Sequence, residues 1–191
     1  MIPTCYFDMR LRRDGNMPLP EKTERIMGYL HEVIAGGHRL AVAFPRMLVL
    51  PGLGDLVRVF GEEEERLGEA MDALMDREGI DDLVAFRRMK PIPEAPAGYE
   101  CYRRFRIPGK RLSAKRRGNP EYEEKQATLR RKRLAQSQAL PFVRVRSRST
   151  GRTFWLHIER CVVDRVEQGE PDAYGLSRRS SIVALPIILE E

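Results

Sequence analysis

His31, His38 and His157 are the three histidines of the chain. An imidazole with an ordinary pKa of about 6.5 can give or take a proton near neutral pH. His31 stands beside Leu30, one step off an apolar stripe and near the end of a predicted helix. An acid–base histidine and a histidine merely packed at a helix edge both fit that position. His38, after a Gly-Gly stop, and His157, inside a predicted strand, are weaker candidates. The segment Ser147-Arg148-Ser149-Thr150-Gly151 collects three hydroxyls and a glycine in one turn. Backbone N–H groups in such turns can cradle an anion, and the hydroxyls can hold a phosphate or a ribose 2′-OH. A plain hairpin turn has the same composition.

Other chemistries find little support. There is no Gly-x-Ser-x-Gly elbow, no phosphate-binding P-loop and no dinucleotide fingerprint. Cys5, Cys101 and Cys161 lack finger spacing and do not cluster with the histidines, so no metal site and no cofactor are expected. Asp81-Asp82 has no ligand spacing, which leaves a two-metal nuclease unsupported. An odd, scattered set of cysteines suits a reducing compartment. With no secretory signal and no apolar run long enough for a bilayer, a cytoplasmic protein without a membrane partner is expected.

Charge is divided unevenly. Residues 1–100 hold 13 basic and 18 acidic side chains, whereas residues 101–191 hold 21 and 10. Eight basic groups fall within residues 103–117, six of them arginine. The planar guanidinium fork suits phosphates and guanine edges. An acidic half joined to a basic half points to a polyanion met by one face.

The elements that must position these groups follow from periodicity. Residues 4–12 alternate as a half-buried strand, and 21–35 carry a helical stripe of Ile26, Met27, Leu30, Val33 and Ile34. Strands are expected at 39–45, 55–60 and 82–89, with an acid-capped helix at 62–76. This β-α-β-β-α-β order predicts an α+β protein with a ferredoxin-like (RRM-like) N-terminal domain over 1–95. A proline-rich linker at 91–98 leads into a smaller, irregular, basic domain over 96–191. There a strand is expected near 99–106, a short basic helix at 110–117, and a helix from Asn119-Pro120 to about Gln138. Strands at 142–147 and 153–158 form a hairpin, and 161–167 and 182–189 are further strand candidates.

The run LPFVRVRSRSTGRTFWLHI at 140–158 resembles the CRISPR-associated endoribonucleases of the type I-F (Ypest) system, which process precursor CRISPR RNA. The early YFDMRLR, the helix bearing Leu30-His31, the segment GGHRLAVAFP, the basic-then-acidic KRRGNPEYEEKQA and the late Tyr174-Gly175-Leu176-Ser177 fall in the same order. The resemblance implies metal-independent cleavage of a CRISPR repeat stem-loop by an internal 2′-OH. It further implies 2′,3′-cyclic phosphate and 5′-OH ends, an enzyme that keeps the cut hairpin, and other subunits of a type I-F surveillance complex as partners. It implies His31 as the base, Ser147 as the holder of the ribose and Tyr174 as the positioner of the histidine. Ser149 and Thr150 would line the scissile phosphate, and Phe154 would stack on the closing base pair. Arg111, Lys115, Arg116 and Arg117 would lie in the hairpin's major groove, and Arg104 and Arg106 would read bases low in the stem.

Two features depart from the family pattern. Leu112, Ser113 and Ala114 interrupt the basic helix, and Arg106 stands where a glutamine is more usual. A rival of another class is a non-catalytic hairpin-binding subunit of a ribonucleoprotein. A protein docking onto ribosomal RNA is a weaker third reading.

Overall fold

In the first half, alternating apolar residues pair five short strands into one sheet. The computed structural model describes residues 1–47, 52–109, 118–146, 151–166 and 168–189. Strands β1 (Cys5–Leu11), β2 (Ala41–Ala43), β3 (Leu56–Gly61) and β4 (Val84–Phe86) lie in the order β2-β3-β1-β4, with β5 (Lys90–Pro91) also pairing with β1. Every pairing is antiparallel. Helices α1 (Leu19–Ala35) and α2 (Glu64–Met75) complete the expected ferredoxin-like order.

Helix α1 starts with prolines, whose fixed φ suits a first turn, and ends at Gly36-Gly37, with φ +109° at Gly37. Its stripe of Ile26, Met27, Leu30 and Val33 is buried in the core. Lys22, also buried, donates through Nζ to the carbonyls of Arg12, Asp14 and Asp82 at 2.9, 2.8 and 3.3 Å, which locks the helix start to the loops beside it.

The strand expected at 82–89 is broken up. A helical turn, α3 (Ile80–Leu83), precedes β4, because Gly79 at φ +71° lets the chain turn and both Ile80 and Leu83 reach the core. Pairing then resumes at β5, where Pro91 offers no N–H to extend the ladder.

Alternation in β1 predicts one face in water, but the strand is buried on both. Tyr6 and Asp8, on the face away from the helices, lie under the end of the chain. Arg58 meets Asp8 with two parallel hydrogen bonds, Nε to Oδ1 at 2.7 Å and Nη2 to Oδ2 at 2.9 Å, and Nη1 donates to the Ile188 carbonyl. The guanidinium also lies 4.6 Å from the centroid of the Tyr6 ring. A bidentate partner is what a buried charge requires.

The second half is a four-stranded antiparallel sheet in the order β7-β8-β6-β9, made of β6 (Tyr99–Phe105), β7 (Phe142–Arg146), β8 (Thr153–Val163) and β9 (Leu185–Pro186). The two strand candidates at 153–158 and 161–167 are corrected: β8 runs unbroken to Val163, in register with all of β6. Of 182–189 only Leu185–Pro186 is strand. Proline has no N–H to continue the ladder, and backbone bonds between Ile187 and the Ala97-Gly98 pair carry the segment on. This terminal segment closes the second sheet and roofs the first.

Helix α4 (Pro120–Ser137) is capped by Asn119, whose side chain accepts from the Tyr122 N–H at 3.1 Å. Only Ser137 of α4 is buried. Arg130 donates to the Pro108 carbonyl, and Arg133 lies 4.6 Å from the Phe105 ring centroid.

One apolar core joins the halves. Tyr102 of β6, fully buried, sets its ring edge-on to Phe44, 5.6 Å between centroids. Helix α1 packs against β7, and Val42 of β2 donates its N–H to the Gly175 carbonyl at 2.8 Å.

Candidate functional site

His31 and Tyr174 lie 143 positions apart in sequence, and the fold stacks their rings at 4.5 Å between centroids and 16° between planes. The stack depends on a tightly built loop. Asp172 Oδ1 accepts from the N–H groups of Tyr174 (2.8 Å) and Leu176 (3.1 Å), and Gly175 N–H donates to the Asp172 carbonyl. Gly175 has φ +73°, and a Cβ there would stand 2.5 Å from Val42 Cγ2. Glycine is therefore required on two counts, and its carbonyl ties the loop to β2. Leu176 is fully buried, and Ser177 Oγ accepts from Val183 N–H at 3.0 Å. The motif Tyr-Gly-Leu-Ser is a mount that holds one tyrosine ring against α1.

His31 Nδ1 lies 2.6 Å from the Ala173 carbonyl. A carbonyl only accepts, so Nδ1 carries the hydrogen and donates it. The neutral ring then keeps its lone pair on Nε2, the state a base needs. Nothing in the sequence marks this pairing, because any residue supplies a backbone carbonyl and position 173 bears no chemical signal.

The row continues beyond Tyr174. Phe154, at the start of β8, meets it edge-on at 6.4 Å and 80°, and Arg104 of β6 places its guanidinium 4.8 Å from the Phe154 centroid. Burial is the main cause lowering the pKa of Arg104, and neighbouring Arg106 adds to it. Burial likewise raises the Tyr174 pKa above its usual 10, opposed by Arg104 and aided by Asp172. The phenol therefore stays a hydrogen-bond donor across the neutral range. Arg106 is exposed in the loop after β6.

A cavity of about 590 Å³ opens beside the stack, lined by His31, Tyr174, Gly28, Arg25, Arg146 and Gly151 among others. Arg146 and Gly151 flank the hydroxyl turn. Ser147, Ser149 and Thr150 themselves lie outside the described residues, as do Arg111, Lys115, Arg116 and Arg117. Gly28 is a residue that sequence reasoning passed over, although the signal was present. A glycine inside a helix costs about 1 kcal/mol against alanine, and a Cβ at Gly28 would meet no atom within 4 Å. Packing does not require it, and it leaves the cavity wall low one turn before His31.

The other two histidines stand elsewhere. His38 lines a separate cavity with Arg39 and Glu62. His157 packs edge-on to Phe142 at 5.5 Å, and burial lowers its pKa. Among the described residues, no group of three or more His, Cys, Asp or Glu could hold a metal ion, and no helix is long and apolar enough to cross a membrane.

Comparison with known proteins bears on nearly the whole chain. The model of the family described as "CRISPR-associated protein (Cas_Csy4)" matches residues 6–186. The CRISPR-associated endonuclease Cas6/Csy4 of Pseudomonas aeruginosa (strain UCBPP-PA14) is 30% identical over 186 residues, covering 91% of this chain and 95% of that protein. Among solved structures, a CRISPR endoribonuclease Cse3 bound to a 19-nucleotide RNA aligns over 97% of this chain and 99% of its own at 13% identity, with a TM-score of 0.35.

Proposed function

The chain belongs to the Cas_Csy4 family of CRISPR-associated proteins, and on that premise we propose that it is a type I-F endoribonuclease that cuts the repeat hairpin of precursor CRISPR RNA. The single observation that carries this reading is His31: its Nδ1–H is committed to the Ala173 carbonyl and its ring is stacked on Tyr174 at the wall of a cavity.

In this reading His31 Nε2 takes the proton of the 2′-OH on the last nucleotide of the stem. That oxygen attacks the adjacent phosphorus, the bond to the 5′-oxygen breaks, and the leaving oxygen takes up a proton. The products are a 2′,3′-cyclic phosphate on the hairpin and a 5′-OH on the released strand. Tyr174 holds the imidazole in plane, and Ser147 fixes the ribose so that attack is in line. Ser149 and Thr150 line the scissile phosphate, and Arg146 supplies charge nearby. The proton transfer needs no metal, since base and nucleophile are both organic groups.

Phe154, backed by Arg104, offers a flat face to the closing base pair of the stem. Arg104 and Arg106 read bases low in the stem. Arg111, Lys115, Arg116 and Arg117 grip the hairpin groove near its open end, where an A-form major groove widens enough for a helix. Grip separate from chemistry lets the enzyme keep its product, act in the cytoplasm and join a surveillance complex.

The test is a repeat hairpin with 2′-deoxyribose at the cut site. It should bind like the ribose substrate and remain intact, while the ribose substrate is cut in millimolar EDTA. Cleavage of the deoxy hairpin, or activity lost to EDTA and restored by Mg²⁺, would overturn the 2′-OH mechanism. Binding without any cutting would favour the RNA-holding rival.

A further inference from the structure

The cavity beside His31 does not end at the catalytic row. A second one, of about 380 Å³, adjoins it along α1, and Glu24 lines both. In the first, residues 24–32 of α1 face Val145 and Arg146. In the second, residues 19–24 face Phe142, Val143 and Arg144. Both lie along the seam of α1 and the edge strand β7, and the Glu24–Arg144 ion pair, at 2.9 Å, crosses the groove where they meet. Its far end is rimmed by Trp155, which is 58% exposed and packs edge-on to Phe142 at 4.9 Å and 84°. A tryptophan left this open gains nothing for the core.

Three observations say what the groove is shaped for. Arg25 and Arg146 line its first stretch, and Arg144 of the second is ion-paired with Glu24. Two acids of the first stretch are ion-paired, Glu24 with Arg144 and Glu32 with Arg77, each at 2.9 Å, and Glu21 lines the second. Gly28 removes a side chain where the wall would otherwise rise, although no packing asks for it. Basic groups along a path with an aromatic face at its end form the usual arrangement for an unpaired strand.

We propose that this groove binds the single-stranded RNA on the 3′ side of the cut, with one of its bases stacked on Trp155 beside Phe142. The proposal rests on the nuclease reading above. Phe154 and Arg104 lie beyond Tyr174, where that reading sets the stem, and the groove offers the strand leaving the scissile phosphate a path towards the start of α1. At about 1.5 Å of rise per residue, the apolar end of the groove lies roughly 10–18 Å from His31, the reach of a few nucleotides. The occupant is part of the leaving strand, so its binding strengthens the hold on uncut precursor and not on the cut hairpin.

The experiment compares two uncleavable 2′-deoxy hairpins, one ending just past the cut and one carrying about four more unpaired nucleotides. The wild-type protein should bind the longer RNA about 5- to 20-fold more tightly, within the range of one base stacked on an aromatic ring. Trp155→Ala should erase that difference and leave binding and cutting of the short ribose hairpin unchanged. Abasic nucleotides in the flank should erase it with the wild-type protein, a control that does not depend on a variant folding. Equal affinity of the wild-type protein for both RNAs would overturn the proposal. So would a flank effect that survives Trp155→Ala, which would put the strand elsewhere. If Trp155→Ala instead abolished assembly with other subunits and left flank binding intact, the pocket would be a protein site. Cleavage of the short ribose hairpin reports on the nuclease reading separately, because it does not involve the flank.

Discussion

The two sheets are built from strands of similar composition but end up as different kinds of surface. In the first, helices cover one face, and Tyr6, Asp8 and Arg58 on the other are buried beside the terminal segment, at the floor of a cavity of about 800 Å³. The second leaves Phe142 and Trp155 open, with arginines on β7 alongside them. In an RRM the free face of the sheet stacks bases on aromatic side chains. Here the Tyr6 ring on that face of the ferredoxin-like sheet is buried with the Arg58 guanidinium over it, so it is not open for stacking. The first half contributes one histidine on the edge of a helix, and the second contributes the aromatic row, the loop mount and the cationic surface.

The sharpest way to probe this division is the residue that crosses it. His31→Ala should lower the single-turnover cleavage rate by about 10²–10⁴-fold, with hairpin affinity within about twofold of wild type in a binding assay. A parallel drop in affinity would mean that the first half also grips RNA.

Next in size is the ion pair buried on the first sheet. Asp8→Ala strands the buried Arg58 guanidinium without its carboxylate and should cost about 3–5 kcal/mol of folding free energy in urea denaturation. Protein that remains folded should bind the hairpin as wild type does. If the variant gained affinity for unpaired RNA, the buried face would be a usable platform after all.

A smaller effect is expected from the basic segment. Arg116→Ala combined with Arg117→Ala should weaken hairpin binding and flatten the dependence of log affinity on log salt, by about 0.7–0.9 for each phosphate that is no longer neutralised. An unchanged slope would move the grip to Arg131 and Lys132 on α4.

The mildest concerns His157 on the open sheet. Burial holds its folded pKa below the ordinary 6.5, partly offset by the nearby Leu140 backbone. Such a group contributes stability that is present above about pH 6.5 and is lost as pH falls through the folded value. The melting temperature should therefore drop between pH 7 and pH 5, and His157→Phe should remove part of that drop. An identical profile for the variant would mean that other groups set the acid sensitivity.

The sequence by itself determined the order of elements in the first half, because period-2 and period-3.6 patterns are local and survive without knowledge of neighbours. It also marked the Asn119-Pro120 helix start, the division of charge and the candidate His31, with Tyr174 entering only through the family resemblance. Its errors lay where a distant segment overrode a local pattern. Tyr6 and Asp8 alternate like solvent-facing residues, yet Arg58 and the chain end near Ile188 bury them. Residues 153–163 read as two strands, but pairing with the whole of β6 makes them one. Only the tertiary structure decided how the site is assembled. His31 and Tyr174 touch because Gly175 fits against Val42 and lets the loop close on α1. The state of the imidazole is set by the Ala173 carbonyl, a group that every residue carries. Side-chain patterns encode which face is apolar. They do not encode which backbone carbonyl a folded chain will bring within 2.6 Å of a ring nitrogen, because that distance is fixed by the packing of parts far apart in sequence.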